Sequence, residues 1–219
     1  MKDLCTPDNR NVGFNITLDD LKNSLNEVTI SEKIPENIHK MIELAKKTYL
    51  YSYYEYDFYA LTTIYLSLLT ETAIKERFLM ELSDEIEMER KGQIKIIYKN
   101  YENVYGNLWK GWKIKEYPYI NRSLRSIIEW IKNTDFLPER YKILDIDKIR
   151  YLRNSAAHLK DKDVYTPAIA QLFYCRTVDF INCLFDPVTY ADEPEFFVQI
   201  HEFYQKVFNE IDKHNKTRD

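Results

Sequence analysis

Apolar residues along this chain recur mostly at helical spacing. From Pro35 onward Ile38, Met41, Ile42 and Ala45 fall on one face of a helix. The tyrosine-dense stretch 49–59 joins it to a long helix over about 53–82. The expected inward stripe of that helix is Leu61, Ile64, Tyr65, Leu68, Thr72 and Leu79. Glu71 and Lys75 stand at its edge, in the favourable i,i+4 order. Leu124, Ile127, Ile128 and Ile131 predict a further helix over 121–133. Asp145 is a good N-cap for a helix running to about 160, with Asp147 in its first turn. Thr166-Pro167 opens another helix, which stops at Asp186-Pro187. Phe197, Ile200, Tyr204, Val207 and Ile211 predict a last one after Pro194.

Two stretches break the rhythm. Residues 1–34 are polar and aperiodic, which reads as a tail or a loosely packed lead-in. The charge-dense run 81–90 reads as a solvated helix end, and an insertion of loops or a short hairpin follows, the whole departure covering about 84–119. Three of the four glycines fall there, at 92, 106 and 111. No long alternating strand pattern competes with the helices. The expected fold class is therefore all-α, an antiparallel helical bundle with a loop-rich insertion and an extra C-terminal helix. The expected organisation is a lead-in over 1–34, one domain over 35–215 and a tail over 216–219.

Composition narrows the function. The chain has 219 residues, enough for one domain with a substantial core. Formal net charge is −4, so any nucleic-acid binding must rest on a local patch. The insertion supplies one. Lys91, Lys95, Lys99, Lys110, Lys113 and Lys115 interleave with tyrosines and with Trp109 and Trp112, and Glu102 is the one acid among them. Lysines on phosphates with rings under splayed bases are what single-stranded RNA needs. Lys95, Lys99, Trp109, Lys110, Trp112 and Lys113 are the candidate RNA contacts. The bland alternative is that the rings anchor the loop and the lysines are solvated.

Other chemistries find little support. Cys5, Cys175 and Cys183 are too few and too scattered for a disulfide framework or a zinc site, and read as small hydrophobes or an idle thiol. The four histidines lack metal-ligand spacing, and no glycine-rich phosphate loop or nucleophile elbow occurs. No cofactor and no metal are expected. Neither a signal peptide nor a membrane span is evident, so the expected location is the cytoplasm.

The sharpest string is Arg153-Asn154-Ser155-Ala156-Ala157-His158. At about 100° per residue, Ile146, Ile149, Leu152, Ala156 and Leu159 face the core. Asn154 and His158 then lie nearly opposite, beside Tyr151, with Arg153 at the margin. Histidine titrates near neutrality and arginine offers a planar fork for phosphate oxygens. These three could equally be ordinary surface residues. The string, however, resembles the R-x4-6-H motif of the HEPN superfamily. A polar residue after the arginine is common there, and an upstream helix carries an acidic-basic pair, as Glu71 and Lys75 do here. The resemblance covers roughly residues 35–187 by helix order.

The resemblance implies an all-helical domain that forms a homodimer around the motif helices. In active members two motifs line one cleft and cut RNA without a metal, often in toxins or in defence against phages. Inactive members bind a nucleotide, RNA or protein partner instead. Carried over residue by residue, it makes Arg153, Asn154 and His158 catalytic, with the upstream pair Glu71 and Lys75 supporting; Tyr151, beside Asn154 and His158 on the wheel, is a further supporting candidate. It also leaves room for an antitoxin or other protein partner. Toxins of this superfamily silenced by nucleotidylation carry a tyrosine two residues past the histidine, where this chain has Lys160.

Overall fold

The computed structural model describes residues 6–26, 28–134, 137–142 and 166–192. Among them the elements run α1 (Asn9–Gly13), α2 (Leu18–Ser24), α3 (Glu36–Tyr51), α4 (Phe58–Glu81), β1 (Glu85–Arg90), β2 (Gln93–Tyr98), α5 (Tyr101–Trp109), β3 (Lys113–Ile114), α6 (Leu124–Lys132), α7 (Glu139–Lys142) and α8 (Pro167–Phe185). The expected helices over 145–160 and after Pro194 lie outside the described residues.

The core is a three-helix packing of α3, α4 and α8. Ile38, Ile42, Ala45 and Tyr49 of α3 are buried as their spacing requires. They meet Leu66, Leu69 and Ala73 of α4 and Ala170, Tyr174, Val178 and Ile181 of α8 in one cluster. The Thr166 hydroxyl caps α8 by accepting from the Ile169 N–H, and proline stands in the first turn, as its missing donor allows. Both Cys175 and Cys183 are buried. No helix among the described residues is long and apolar enough to cross a membrane.

The α4 stripe differs from expectation. Leu61 and Leu68 are 44% and 40% exposed, whereas Thr62, Thr63, Ser67 and Thr70 are buried. Each of those hydroxyls donates to the carbonyl four residues back, Thr62 to Phe58 at 2.8 Å, Thr63 to Tyr59 at 3.1 Å, Ser67 to Thr63 at 3.0 Å and Thr70 to Leu66 at 2.8 Å. The helix satisfies its own polar side chains, so they can enter the core at low cost and displace the polarity-based stripe.

The lead-in is packed. Leu21, Leu25 and Ile34 belong to the core cluster. A Thr17–Asp20 capping box starts α2. The anchor of α1 is polar, which hides it from a hydrophobic pattern. Fully buried Asn11 donates to the carbonyls of Ser52 at 2.7 Å and Tyr53 at 3.0 Å and accepts from the Tyr59 hydroxyl at 3.2 Å.

The all-α expectation is overturned by a three-stranded antiparallel sheet, ordered β2-β1-β3. The fold is mixed α/β. The run 81–90, expected as a solvated helix end, is mostly β1. Its Ile86 and Met88 alternate inward between outward glutamates. Lys91 and Gly92, with φ of 50° and 79°, close a two-residue turn of the kind that matches strand twist, and Met88 faces Lys95 across the hairpin. Ile114 pairs with Met88 on the other side, so Ile86, Met88 and Ile114 form the inward layer. On the outward face Ile94, Ile96 and Tyr98 of edge strand β2 stay exposed. The hairpin alternative for the insertion is realised in β1 and β2, and the rest is α5, capped by Asn100 with Val104, Tyr105 and Leu108 buried, followed by β3 and turn residues up to 119.

Candidate functional site

Site geometry begins on α4. The Lys75 ammonium and the Glu71 carboxylate lie 2.7 Å apart, with side chains 19% and 18% exposed. Burial pulls the Lys75 pKa down, but the hydrogen bond and charge of Glu71, with help from Tyr101, hold it above its ordinary value. The ammonium also lies 5.5 Å from the Tyr105 ring and 6.0 Å from the Tyr101 ring. Tyr105 donates its hydroxyl to the Lys75 carbonyl at 2.9 Å, and burial pushes that phenol well up. The inserted helix α5 is thereby tied to the helix bearing the acidic-basic pair.

Tyr101, Tyr105 and Trp109 recur four residues apart along α5, so they form a ladder on one side of it. The Tyr101 and Tyr105 rings are 4.7 Å apart. At the far end the Arg122 guanidinium sits 5.4 Å from the centre of the Trp109 ring, which remains 68% exposed. Between them opens a cleft of about 360 Å³, lined by Lys75, Tyr101, Glu102, Tyr105, Gly106, Trp109 and Arg122. That is within the size range of small-ligand sites.

The six expected RNA contacts do not act as one patch. Lys95 lies 4.1 Å over the Trp112 ring and donates to Asn107 Oδ1 at 2.6 Å, which folds it against α5. Lys99 donates to the Leu82 carbonyl at 2.8 Å and pairs with Asp84 at 3.1 Å, so it pins the hairpin base. Half-buried Trp112 packs against the core. Lys110 and Lys113 are exposed, the first as the C-cap of α5 and the second on β3. Of the six, only Trp109 lines the cleft.

The structure adds Tyr101, Glu102, Tyr105 and Arg122, which the lysine pattern passed over. The signal for the two tyrosines was the i, i+4, i+8 aromatic spacing they share with Trp109, legible once 101–109 is read as helix. Arg122 carries no such signal, because only the chain path brings it to Trp109.

Arg153, Asn154, His158 and Tyr151 lie outside the described residues. On either side of that segment the described chain is well anchored. Tyr141 hydrogen-bonds the buried Asp179 carboxylate, which Arg140 also approaches at 3.3 Å. Among the described residues no group of three or more histidine, cysteine or acidic side chains is placed to hold a metal ion.

No protein-family model matches the chain, and neither does any curated protein or solved structure.

Proposed function

We propose that this chain is a metal-independent endoribonuclease of HEPN type, cutting RNA at a dimeric Arg/His site as a cytoplasmic toxin or phage-defence effector. The observation that carries the reading is the Arg153-Asn154…His158 string set just ahead of α8, a helix that packs along the Glu71–Lys75 helix α4. The aromatic cleft on the insertion adds support, since it offers stacking surface and the Arg122 guanidinium outside the motif.

The chemistry needs no metal. The ribose 2′-hydroxyl attacks the adjacent phosphorus as the bond to the 5′-oxygen breaks. The 2′ proton leaves to a base and the departing 5′-oxygen takes one up, yielding a 2′,3′-cyclic phosphate and a 5′-hydroxyl. His158 is assigned proton transfer and Arg153 the phosphorane charge. Asn154 orients the imidazole or donates to the phosphate. A symmetric homodimer supplies two histidines, one as base and one as acid.

The test is cleavage of a mixed RNA substrate in EDTA by wild type and His158→Ala. Cleavage by wild type and none by the variant is expected, with products ending in a cyclic phosphate. Equal cleavage by both would remove His158 from the chemistry. Binding without turnover would favour the non-catalytic module that engages a nucleotide, RNA or protein partner.

A further inference from the structure

We propose that the α5 cleft binds one unpaired nucleotide of single-stranded RNA, its base stacked on Trp109 and its phosphate held by Arg122. The proposal rests on RNA being the substrate of the Arg153–His158 site, and it assigns recognition of that RNA to a second place on the chain.

Three features of the cleft carry it. The first is an exposed stacking platform. The indole of Trp109 is 68% exposed where it lines the cavity, so much of its surface is open to a flat partner. The second is the distribution of charge. Lys75 is neutralised by Glu71 at 2.7 Å. Glu102 also lines the cleft, and among the described residues no ion pair joins it to Arg122, so Arg122 is the cation left to an incoming anion. Its planar fork matches phosphate oxygens. A ligand that carries a flat apolar surface and a negative charge fits Trp109 and Arg122 together.

The third is Gly106. It sits inside α5, where glycine is unfavourable relative to alanine. It shows no left-handed backbone angle, and a Cβ there would meet nothing within 4 Å. Neither turn geometry nor close packing accounts for a glycine at this position. What its missing side chain does is leave the cleft floor open between Tyr105 and Trp109. A cleft of about 360 Å³ accommodates a nucleotide-sized group.

Labelled hexaadenylate provides the probe, with anisotropy titrations on full-length protein carrying His158→Ala so that the probe stays intact. Added to that background, Trp109→Ala is expected to weaken binding about tenfold or more, and Trp109→Phe to retain most of it. Arg122→Ala is expected to weaken binding and to lower the salt slope by about one. Gly106→Leu is expected to close the cleft and abolish the Trp109 dependence. Gly106→Ala should raise the melting temperature by about 2 to 4 °C, which separates a blocked cleft from a damaged helix.

Unchanged affinity in both Trp109→Ala and Gly106→Leu would overturn the proposal, as would failure of hexaadenylate to bind at all. Adenosine monophosphate binding as tightly as the hexamer would overturn the RNA assignment and make a free nucleotide the ligand. Cleavage of RNA by wild type with no effect of Trp109→Ala on binding would sink the cleft and leave the ribonuclease reading intact. Trp109-dependent binding with no cleavage by wild type would do the reverse.

Discussion

The Tyr105 hydroxyl donates to the Lys75 carbonyl at 2.9 Å, joining residues thirty apart in sequence and fixing the inserted helix α5 to α4. This contact builds the cleft, because it sets the aromatic ladder of α5 beside the one acidic-basic pair the HEPN resemblance singled out. Tyr105→Phe keeps the ring and removes the donor. We expect a loss of about 1 kcal/mol in urea denaturation, typical of one intramolecular hydrogen bond. An unchanged midpoint would mean that water serves both groups equally well.

A second tie closes the other end of the molecule. Arg140, 14% exposed, pairs with fully buried Asp179 at 3.3 Å and donates to the carbonyls of Tyr190 at 3.0 Å and Ala191 at 2.6 Å. Burial raises the Asp179 pKa, while Tyr141 and Arg140 oppose the rise. Arg140→Ala leaves that carboxylate buried without its cation, and the expected cost is about 3 kcal/mol near neutral pH. Without the guanidinium the Asp179 pKa rises further, so ionising the carboxylate costs the variant more than wild type, and the loss should grow as pH rises above the ordinary carboxylate range. The double variant Arg140→Met with Asp179→Leu should cost less than the single one. A double variant worse than Arg140→Ala would show that the polar contacts outweigh the buried charge.

Acid stability depends on a different carboxylate. The hydrogen bond from Lys33, at 2.6 Å, holds Asp186 below the ordinary carboxylate range, and Ser31 contributes a further bond at 3.1 Å. A depressed folded pKa stabilises above the unfolded value of about 3.9 and loses that effect as pH falls through the folded one. Unfolding free energies of wild type and Asp186→Asn should therefore differ at pH 7 and converge as pH drops below about 4. A gap independent of pH would assign the effect to packing at the end of α8 instead.

What the chain determined by itself was the local part. Helical spacing in 38–45 and 124–131, the Thr166-Pro167 start and the Asp186 stop all reappear in α3, α6 and α8, because each depends on neighbours within a turn or two. The alternation Ile86, Met88 was also local, yet it was masked by four flanking charges and needed a partner strand to acquire meaning. A strand has no internal hydrogen bonds, so β1 exists only through β2 and β3. Tertiary structure alone decided which face of α4 is buried, because hydroxyls satisfied within the helix let threonines replace Leu61 and Leu68 in the core. It also decided the chemistry of the insertion. Lys95 and Lys99 were drawn into structural contacts, while Arg122, distant in sequence and without a motif of its own, was carried to Trp109. Side-chain types state which contacts are favourable, but whether a lysine meets a phosphate, a ring or a carbonyl depends on the distances that the folded chain sets.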